Sequence, residues 1–284
     1  MFQLKRILVP IDFSPHSEPA ARLAASLACR FHSEISLLHV VEPGQSDWAE
    51  PAVTYTTNLE EERARERLDE YLKGDSCKVS VNRFVLVGNC ALQICRFSEA
   101  DESDLIVVPT RGYGVFRRLL LGSTTAKLLH DAKCPIMTGK HLEDAAGFDT
   151  THPARILCAV DLGATSERVV GWARDFGGEI GVDITIAHIV LTPEGARQGP
   201  GDTDLTAAIC ESDEDRLRQL AKHTGVAAHI IVRAAPDIRK AVCDLAANTD
   251  ADLVVVGRGE RVGARLKPTT YSIIANSPCP VVSV

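Results

Sequence analysis

The stretch RILVPIDFS, residues 6–14, returns as RILCAVDLG at residues 155–163. Both copies begin with a short apolar run typical of a strand buried on both faces, and both place an aspartate where that run ends. Three further matches follow in the same order at nearly constant spacing: ISLLHVV (35–41) with ITIAHIV (184–190), SDLIVVPTRG (103–112) with ADLVVVGRGE (251–260), and AKCPIMT (132–138) with SPCPVVSV (277–284). Four matches in one order predict two copies of one fold.

The repeat also predicts where the domains begin and end. We expect a first domain over residues 1–140, a linker over 141–153 and a second domain over 154–284. The predicted linker is polar and aperiodic, as connecting segments usually are. A chain of 284 residues has room for two domains of ordinary size.

Within the first copy, strand-like and helix-like periods alternate. We expect strands over 5–11, 35–41, 79–87, 104–109 and 134–138, and helices from Ser14-Pro15 onward and over 58–73, 90–101 and 123–131. This order requires a parallel sheet with right-handed crossovers. The sequence therefore predicts the α/β class, with two tandem doubly wound domains, each a five-stranded parallel sheet with helices on both faces.

Two predicted helix starts depend on capping patterns. Ser14 can cap the amides of the first helix, and Pro15 fits its first turn. Asn58 and Glu61 have the spacing of a capping box at the start of the second helix, which leaves residues 43–57 as a long loop.

Composition limits the classes of function. The formal net charge of −7 argues against a nucleic-acid partner. No apolar run approaches the roughly 20 residues that cross a bilayer, so we expect no membrane association. The N-terminus lacks signal-peptide features, and the cysteines, such as Cys29, lie mostly in apolar segments without CxxC spacing. We therefore expect reduced, buried thiols and a cytoplasmic location.

Parallel sheets bind ligands beyond the carboxyl ends of their strands, near the point where the strand order reverses. In the first copy, the segments expected there are Pro10-Ile11-Asp12, His39-Val40-Val41 and the loop from Pro109 to Gly122. Asp12 has two readings at this edge. It accepts hydrogen bonds from ribose hydroxyls, or its carboxylate is satisfied by neighbouring loop amides.

The sharper signal is Gly122-Ser123-Thr124. A glycine lets the backbone approach a ligand closely, and the helix that follows offers free amides and a positive dipole end to an anion. Ser123 is expected to cap that helix, to donate to a phosphate oxygen, or both. Nine residues separate Gly112 from Gly122, a spacing that fits neither a P-loop nor a dinucleotide fingerprint.

The repeat unit resembles the universal stress protein family, both at RILVPIDFS and at PTRGYGVFRRLLLGSTTAKLLHDAKCPIM (109–137). The nucleotide signature of that family is Gly-x2-Gly-x9-Gly-(Ser/Thr), and this chain reads Pro109-x2-Gly112-x9-Gly122-Ser123. Both copies resemble the family, so the likeness covers nearly the whole chain.

The resemblance implies an adenine-nucleotide site in the first domain for ATP, ADP or AMP, with or without Mg²⁺. It implies that Pro10, Ile11, Asp12 and Val40 hold adenine and ribose. The phosphates would lie against the residues of the signature loop and the helix after it: Pro109, Thr110, Arg111, Gly112, Gly122, Ser123 and Thr124. Pro109 departs from the signature because it has no amide hydrogen, which predicts weaker binding or a preference for AMP or ADP.

The second copy departs further from the signature. Glu260 stands where the second glycine belongs, and Lys267-Pro268 replaces Gly-Ser. Glu260 would repel a phosphate, and Pro268 removes an amide from the helix start. We expect no nucleotide in this half.

Three functions compete on the sequence alone. The first is a regulatory, nucleotide-binding stress protein. The second is an interaction module whose nucleotide site Pro109 has closed, and the third is a slow ATPase with Asp12 near the γ-phosphate. The sequence contains no recognisable catalytic triad or acid–base carboxylate pair, so it predicts no enzymatic activity besides this slow ATP hydrolysis. The last strands of the two copies are expected to pair them within one chain, with a homodimer of whole chains left open.

Overall fold

The chain folds into two compact units, described here from a computed structural model. The first unit lies within residues 4–139 and the second within 154–284. The residues that the structure describes are 4–42, 51–73, 79–110, 121–139, 154–178, 181–192, 200–259 and 267–284. The predicted linker, 141–153, falls outside them, so the exact domain boundaries stay a prediction.

The first unit alternates strands and helices as the sequence predicts. Its elements are β1 (Arg6–Pro10), α1 (Ser17–Phe31), β2 (Glu34–Val41), α2 (Pro51–Glu70), β3 (Val81–Val87), α3 (Cys90–Ala100), β4 (Leu105–Val107), α4 (Ser123–Asp131) and β5 (Ile136–Thr138). The strands lie in the order β3-β2-β1-β4-β5, and every described pair is parallel. The strand order reverses between β1 and β4, which places the predicted ligand edge there.

The second unit repeats this arrangement. Its elements are β6 (Ala154–Ala159), α5 (Ser166–Gly178), β7 (Val182–Leu191), α6 (Pro200–Thr224), β8 (Ala228–Ala235), α7 (Ile238–Asn248), β9 (Leu253–Val256), α8 (Pro268–Asn276) and β10 (Val281–Ser283). The strands lie in the order β10-β9-β6-β7-β8, again parallel. The predicted fold class, two tandem doubly wound five-stranded domains, is confirmed.

Strand register shows that the repeat is structural, residue for residue. Pro10 of β1 pairs with Leu38 of β2, and Ala159 of β6 pairs with Ala187 of β7. Both pairs are related by the 149-residue offset that also relates Asp12 to Asp161. A residue in one unit therefore has a defined counterpart in the other, and differences between counterparts can be read directly.

The central strands are buried on both faces, which explains their continuous apolar runs. Ile7, Leu8 and Val9 of β1 have no exposed surface, and neither does Leu157 of β6. Helices cover both faces of a parallel sheet because its crossovers must pass over it. Each unit thus has a rigid core from which its loops project.

Two predicted helix starts are wrong. Helix α1 begins at Ser17, because Ser14 and Pro15 belong to a turn in which the Ser17 amide donates to the Ser14 carbonyl. Helix α2 begins at Pro51, so the Asn58–Glu61 pair lies inside the helix and caps nothing. Of the predicted 43–57 loop, residues 43–50 lie outside the described part.

One prediction about the cysteines also needs correction. Cys29 is disulfide-bonded, whereas the sequence pattern indicated a reduced thiol. The thiols that the structure describes as free are those of Cys90, Cys95, Cys134, Cys158, Cys210, Cys243 and Cys279. Among the described helices, none has both the length and the apolar character needed to cross a bilayer.

Replacing Asp104 with alanine should destabilise the first unit. Its Oδ2 accepts hydrogen bonds from the amides of Lys5 (2.7 Å) and Arg6 (2.9 Å), which anchors the start of β1 beside β4. Hydrogen bonds to a charged acceptor contribute about 1.5–3 kcal/mol each. We expect Asp104→Ala to lower the free energy of unfolding by about 3 kcal/mol, the lower end for two such bonds at a partly exposed site, in urea titrations followed by circular dichroism. The exposed Asp131→Ala is the control; equal stability of the two variants would contradict the anchoring role.

Candidate functional site

The carboxyl edge of the first sheet brings together segments that are far apart in sequence. Asp12 follows β1, Glu42 follows β2, and Cys90 begins α3. The Cys90 amide donates to Glu42 Oε1 at 2.6 Å, and the Cys90 thiol is hydrogen-bonded to Thr124 at the start of α4. The Asp12 carboxylate is close enough to act electrostatically on the same thiol. One cleft edge therefore unites the ends of β1 and β2 with the starts of α3 and α4.

The N-terminus of α4 has no side-chain cap among the residues that the structure describes. Gly122, not Ser123, is the N-cap residue, with extended backbone and no side-chain hydrogen bond to the helix. The predicted cap at Ser123 is therefore wrong: Ser123 is the first helical residue and its side chain is exposed. The amides of the first turn have no side-chain cap among the described residues, so the helix presents donors and a positive dipole end.

The end of β4 holds this helix start in place. The Gly122 amide donates to the Thr110 carbonyl at 2.7 Å, and Thr125 Oγ1 donates to the Pro109 carbonyl at 3.0 Å. Thr110 and Thr125 are both buried. The structure thus brings Pro109, Thr110 and Gly122 together, as the sequence predicts. Arg111 and Gly112 lie outside the described residues, and their role stays a prediction.

The hydrogen bonds of Asp12 bear out the structural one of its two predicted readings, and the ribose contact stays a prediction. Its Oδ1 accepts from the Ser14 amide (2.9 Å) and from Ser17 Oγ (2.5 Å), which is the structural reading. Within the part of the chain that the structure describes, its hydrogen bonds all go to Oδ1. Because the side chain is exposed, Oδ2 is available to a hydroxyl donor.

A histidine fixes the segment that carries Asp12. His39 of β2 holds the Ile11 carbonyl through Nδ1 at 2.7 Å, so Nδ1 carries the proton. The Phe13 ring lies 4.4 Å from the His39 ring, and the Arg67 guanidinium lies 3.9 Å from the Phe13 centroid. Burial lowers the pKa of His39, and this effect outweighs the hydrogen bond to Ile11, which raises the pKa. The neutral ring is therefore favoured. His39 therefore supports the backbone segment that leads to Asp12.

The remaining predicted residues lie in the same region. Pro10 ends β1, and Ile11 follows it with a buried side chain. Val40 lies in β2 and is also buried. All three residues are buried, so their side chains belong to the core next to the segment that carries Asp12.

Sequence reasoning missed Glu42 and undervalued Cys90. Burial, together with the charge of Glu42, raises the pKa of Cys90 to about 11, so its thiol stays protonated at neutral pH. Among the described residues no cluster of metal ligands occurs, around Cys90 or elsewhere. Glu42 and Cys90 belong to no motif with a recognisable spacing. The only sequence signal is that Cys90 follows β3 and so lies at the same edge of the sheet.

The second unit has the same backbone but different partners for its aspartate. Asp161 Oδ1 accepts from the Gly163 amide at 3.0 Å, and Oδ2 accepts from Lys267 Nζ at 2.6 Å. Helix α8 begins with Pro268, which has no amide to offer. The two polar features of the first unit, a free carboxylate oxygen and an open helix start, are therefore both altered. Glu260 lies outside the described residues.

The fold defines a class of tandem, doubly wound α/β proteins in which distant segments meet at the carboxyl ends of the strands. The family model of the universal stress protein family matches residues 3–138 and again 153–284. The chain belongs to the universal stress protein family.

Individual relatives agree with this assignment. A universal stress protein of Mycolicibacterium smegmatis is 28% identical over 297 residues, covering 98% of this chain and 96% of its own length. The crystal structure of a universal stress protein from Archaeoglobus fulgidus has a TM-score of 0.72 at 22% identity and covers 99% of this chain and 98% of its own. A universal stress protein in complex with cAMP matches more distantly, with a TM-score of 0.37 at 20% identity over 47% of this chain and 95% of its own.

Replacing Lys267 with methionine should raise the pKa of Asp161. Partial burial raises this pKa, but the hydrogen bonds from Lys267 and Gly163 outweigh burial and hold it below the ordinary value of 3.8. A lowered pKa in the folded state means that the stabilisation is complete above pH 3.8 and is lost as the pH falls through the folded value. We expect NMR titration of the Asp161 carboxyl to show a higher midpoint in Lys267→Met than in the wild type. Lys133→Met, which breaks an ion pair with Glu99 in the first unit, is the control and should leave the midpoint unchanged.

Proposed function

We propose that the first unit binds an adenine nucleotide, ATP, ADP or AMP, with or without Mg²⁺, and that occupancy regulates the protein in a stress response. The open start of α4 is the observation that carries this proposal. Gly122 caps the helix without a side chain, so a phosphate can reach the amides of the first turn directly. The hydroxyls of Ser123 and Thr124 are on the same turn and can donate to the remaining phosphate oxygens.

The sugar and base have a matching place on the other side of the edge. Asp12 Oδ2 is available to ribose hydroxyls, while Oδ1 is fixed by Ser14 and Ser17. Ile11 and Val40, which the family resemblance assigns to adenine and ribose, are apolar and lie close to the surface at 3% and 8% exposure. The loop is held rigid by His39, which lowers the entropy lost on binding.

The second unit is proposed not to bind a nucleotide. Lys267 already occupies the carboxylate oxygen that a ribose would use, and Pro268 leaves one amide fewer at the helix start. In the sequence, Glu260 adds a negative charge where phosphates would lie. These three differences support one nucleotide per chain.

Pro109 favours a second candidate, an interaction module without a nucleotide. It lacks the amide hydrogen that the glycine of the family signature has, and its carbonyl already accepts a hydrogen bond from Thr125 Oγ1. A slow ATPase remains the third alternative and would be detected as product formed over time from ATP.

Replacing Gly122 with valine should abolish nucleotide binding without unfolding the chain. Gly122 has φ −66° and ψ 152°, which valine can adopt, so the backbone is not strained. The branched side chain would stand in the proposed phosphate path. We expect calorimetric titration with ATP and AMP to lose its heat signal in Gly122→Val while the unfolding temperature stays close to wild type. Lys267→Met is the matched control in the other unit; nucleotide affinity of Gly122→Val equal to that of wild type would refute the phosphate site.

We also propose that the two units pair within one chain through β5 and β10. Each is an edge strand of its own unit and apolar in sequence, and an unpaired apolar edge favours association. The connecting residues 139–153 reach about 50 Å when extended, which is ample for such a fold-back. Tethering raises the effective concentration to roughly millimolar.

Small-angle scattering of the intact chain tests this pairing. We expect a compact, pseudo-symmetric particle whose dimensions do not change with salt. An elongated profile of two independently moving domains would contradict it.

A further inference from the structure

A cavity of about 250 Å³ opens at the carboxyl edge of the sheet in the second unit. Its walls are mostly apolar and come from β6, β7, β9, α7 and α8; they include Val160, Ala187, Val242, Val256 and Ile273. Ligand pockets of proteins usually measure about 300–1,000 Å³. This second-unit cavity is therefore suited to a molecule smaller than a nucleotide.

One substitution between the copies accounts for part of this space. Ala187 of β7 lines the cavity, and its counterpart in the first unit is Leu38. Both residues are 1% exposed, and their carbonyls accept in the same way: that of Ala187 from the Val160 amide and that of Leu38 from the Ile11 amide. The second unit thus lacks the larger side chain at a position where the shared backbone accommodates one.

A buried hydroxyl of the cavity wall has no partner. Ser166 begins α5, lines the cavity and is 4% exposed, and its Oγ makes no hydrogen bond within the described residues. Its counterpart Ser17 donates to Asp12 Oδ1 and accepts from the Asp12 amide. In the second unit Asp161 bonds Gly163 and Lys267 instead. A buried hydroxyl without a partner is costly, so a polar group on a bound molecule would restore what Asp161 no longer supplies.

The charges around the cavity cancel. Asp161 and Lys267 form an ion pair at its rim, with about half of each side chain exposed. His188, which also lines the cavity, holds the Val160 carbonyl through Nδ1 (2.9 Å), while its Nε2 lies 3.6 Å from Asp213 Oδ2. An anion would meet Asp161 and a cation would meet Lys267, so neither sign of charge gains from entering.

We propose that the second-unit cavity binds an uncharged small molecule with an apolar body and one hydroxyl group, which is hydrogen-bonded to Ser166 Oγ. The site is separate from the proposed nucleotide site of the first unit and does not depend on it. It gives the second unit a ligand of its own chemistry, selected by size and by the absence of charge.

Three compounds that share the indole ring system but differ in charge test whether the cavity selects ligands by charge. The titrations use the intact chain. Indole-3-ethanol is the neutral alcohol, indole-3-acetate the anion and tryptamine the cation. We expect NMR titrations to show a dissociation constant of the order of 1 mM for the alcohol and binding at least about tenfold weaker for both charged compounds. Equal affinity for the three, or displacement of the alcohol by excess AMP, would overturn the proposal.

Two variants test the residues that define the cavity. Ala187→Leu installs the side chain that the first unit carries and should abolish binding of indole-3-ethanol. Ser166→Ala should weaken the alcohol about fivefold, leave the affinity for 3-methylindole unchanged and not lower the unfolding temperature, because the hydroxyl it removes makes no internal bond. A loss of stability in Ser166→Ala with unchanged affinity for the alcohol, or unchanged binding in Ala187→Leu, would show that the cavity is not the site.

Discussion

The central strand of each unit pairs along both of its edges, and the rest of the structure depends on that pairing. Ile7 of β1 lies opposite Ile35 on one side and Leu105 on the other, and Ile156 of β6 lies between Ile184 and Leu253. Because all these strands are parallel, their carboxyl ends meet at one edge. Loops that are about a hundred residues apart in sequence must therefore meet there, whatever side chains they carry.

The two units show how one backbone supports different chemistry. In each, an aspartate follows the central strand and a histidine of the next strand fixes the segment between them. The carboxylate is turned towards serine hydroxyl and backbone amide in the first unit, and towards Lys267 in the second. Among the described residues, a single change of partner leaves one Asp12 oxygen without a hydrogen bond in the first unit and Ser166 Oγ without one in the second. The divergence lies in side chains, while strand order and register are kept.

Periodicity and repetition predicted the framework closely, since both reflect burial. Helix α4 spans 123–131 as expected, and the strand order follows from the alternation of periods. Helix starts were harder to predict because they depend on tertiary partners: Ser14 is held in a turn by Asp12, which delays α1 until Ser17. Ser123 lost its expected capping role because it is already the first helical residue, with Gly122 at the N-cap.

The sequence offered candidate site residues where a motif existed and offered none where only spatial proximity brings residues together. Gly122 and Asp12 could be found from spacing and from the end of an apolar run. Glu42 and Cys90 could not, since their contact joins the end of β2 to the start of α3 across 48 residues. The cavity of the second unit could likewise not be predicted from the sequence. It depends on the difference in side-chain size between Ala187 and Leu38, which occupy the same register position.

Native mass spectrometry of the intact chain, purified without added nucleotide and then incubated with ATP or AMP, tests the central claim most directly. The account predicts one adenine nucleotide per chain, retained by Lys267→Met and lost in Gly122→Val. Two nucleotides per chain, or none at any concentration, would contradict the assignment of a nucleotide site to the first unit alone.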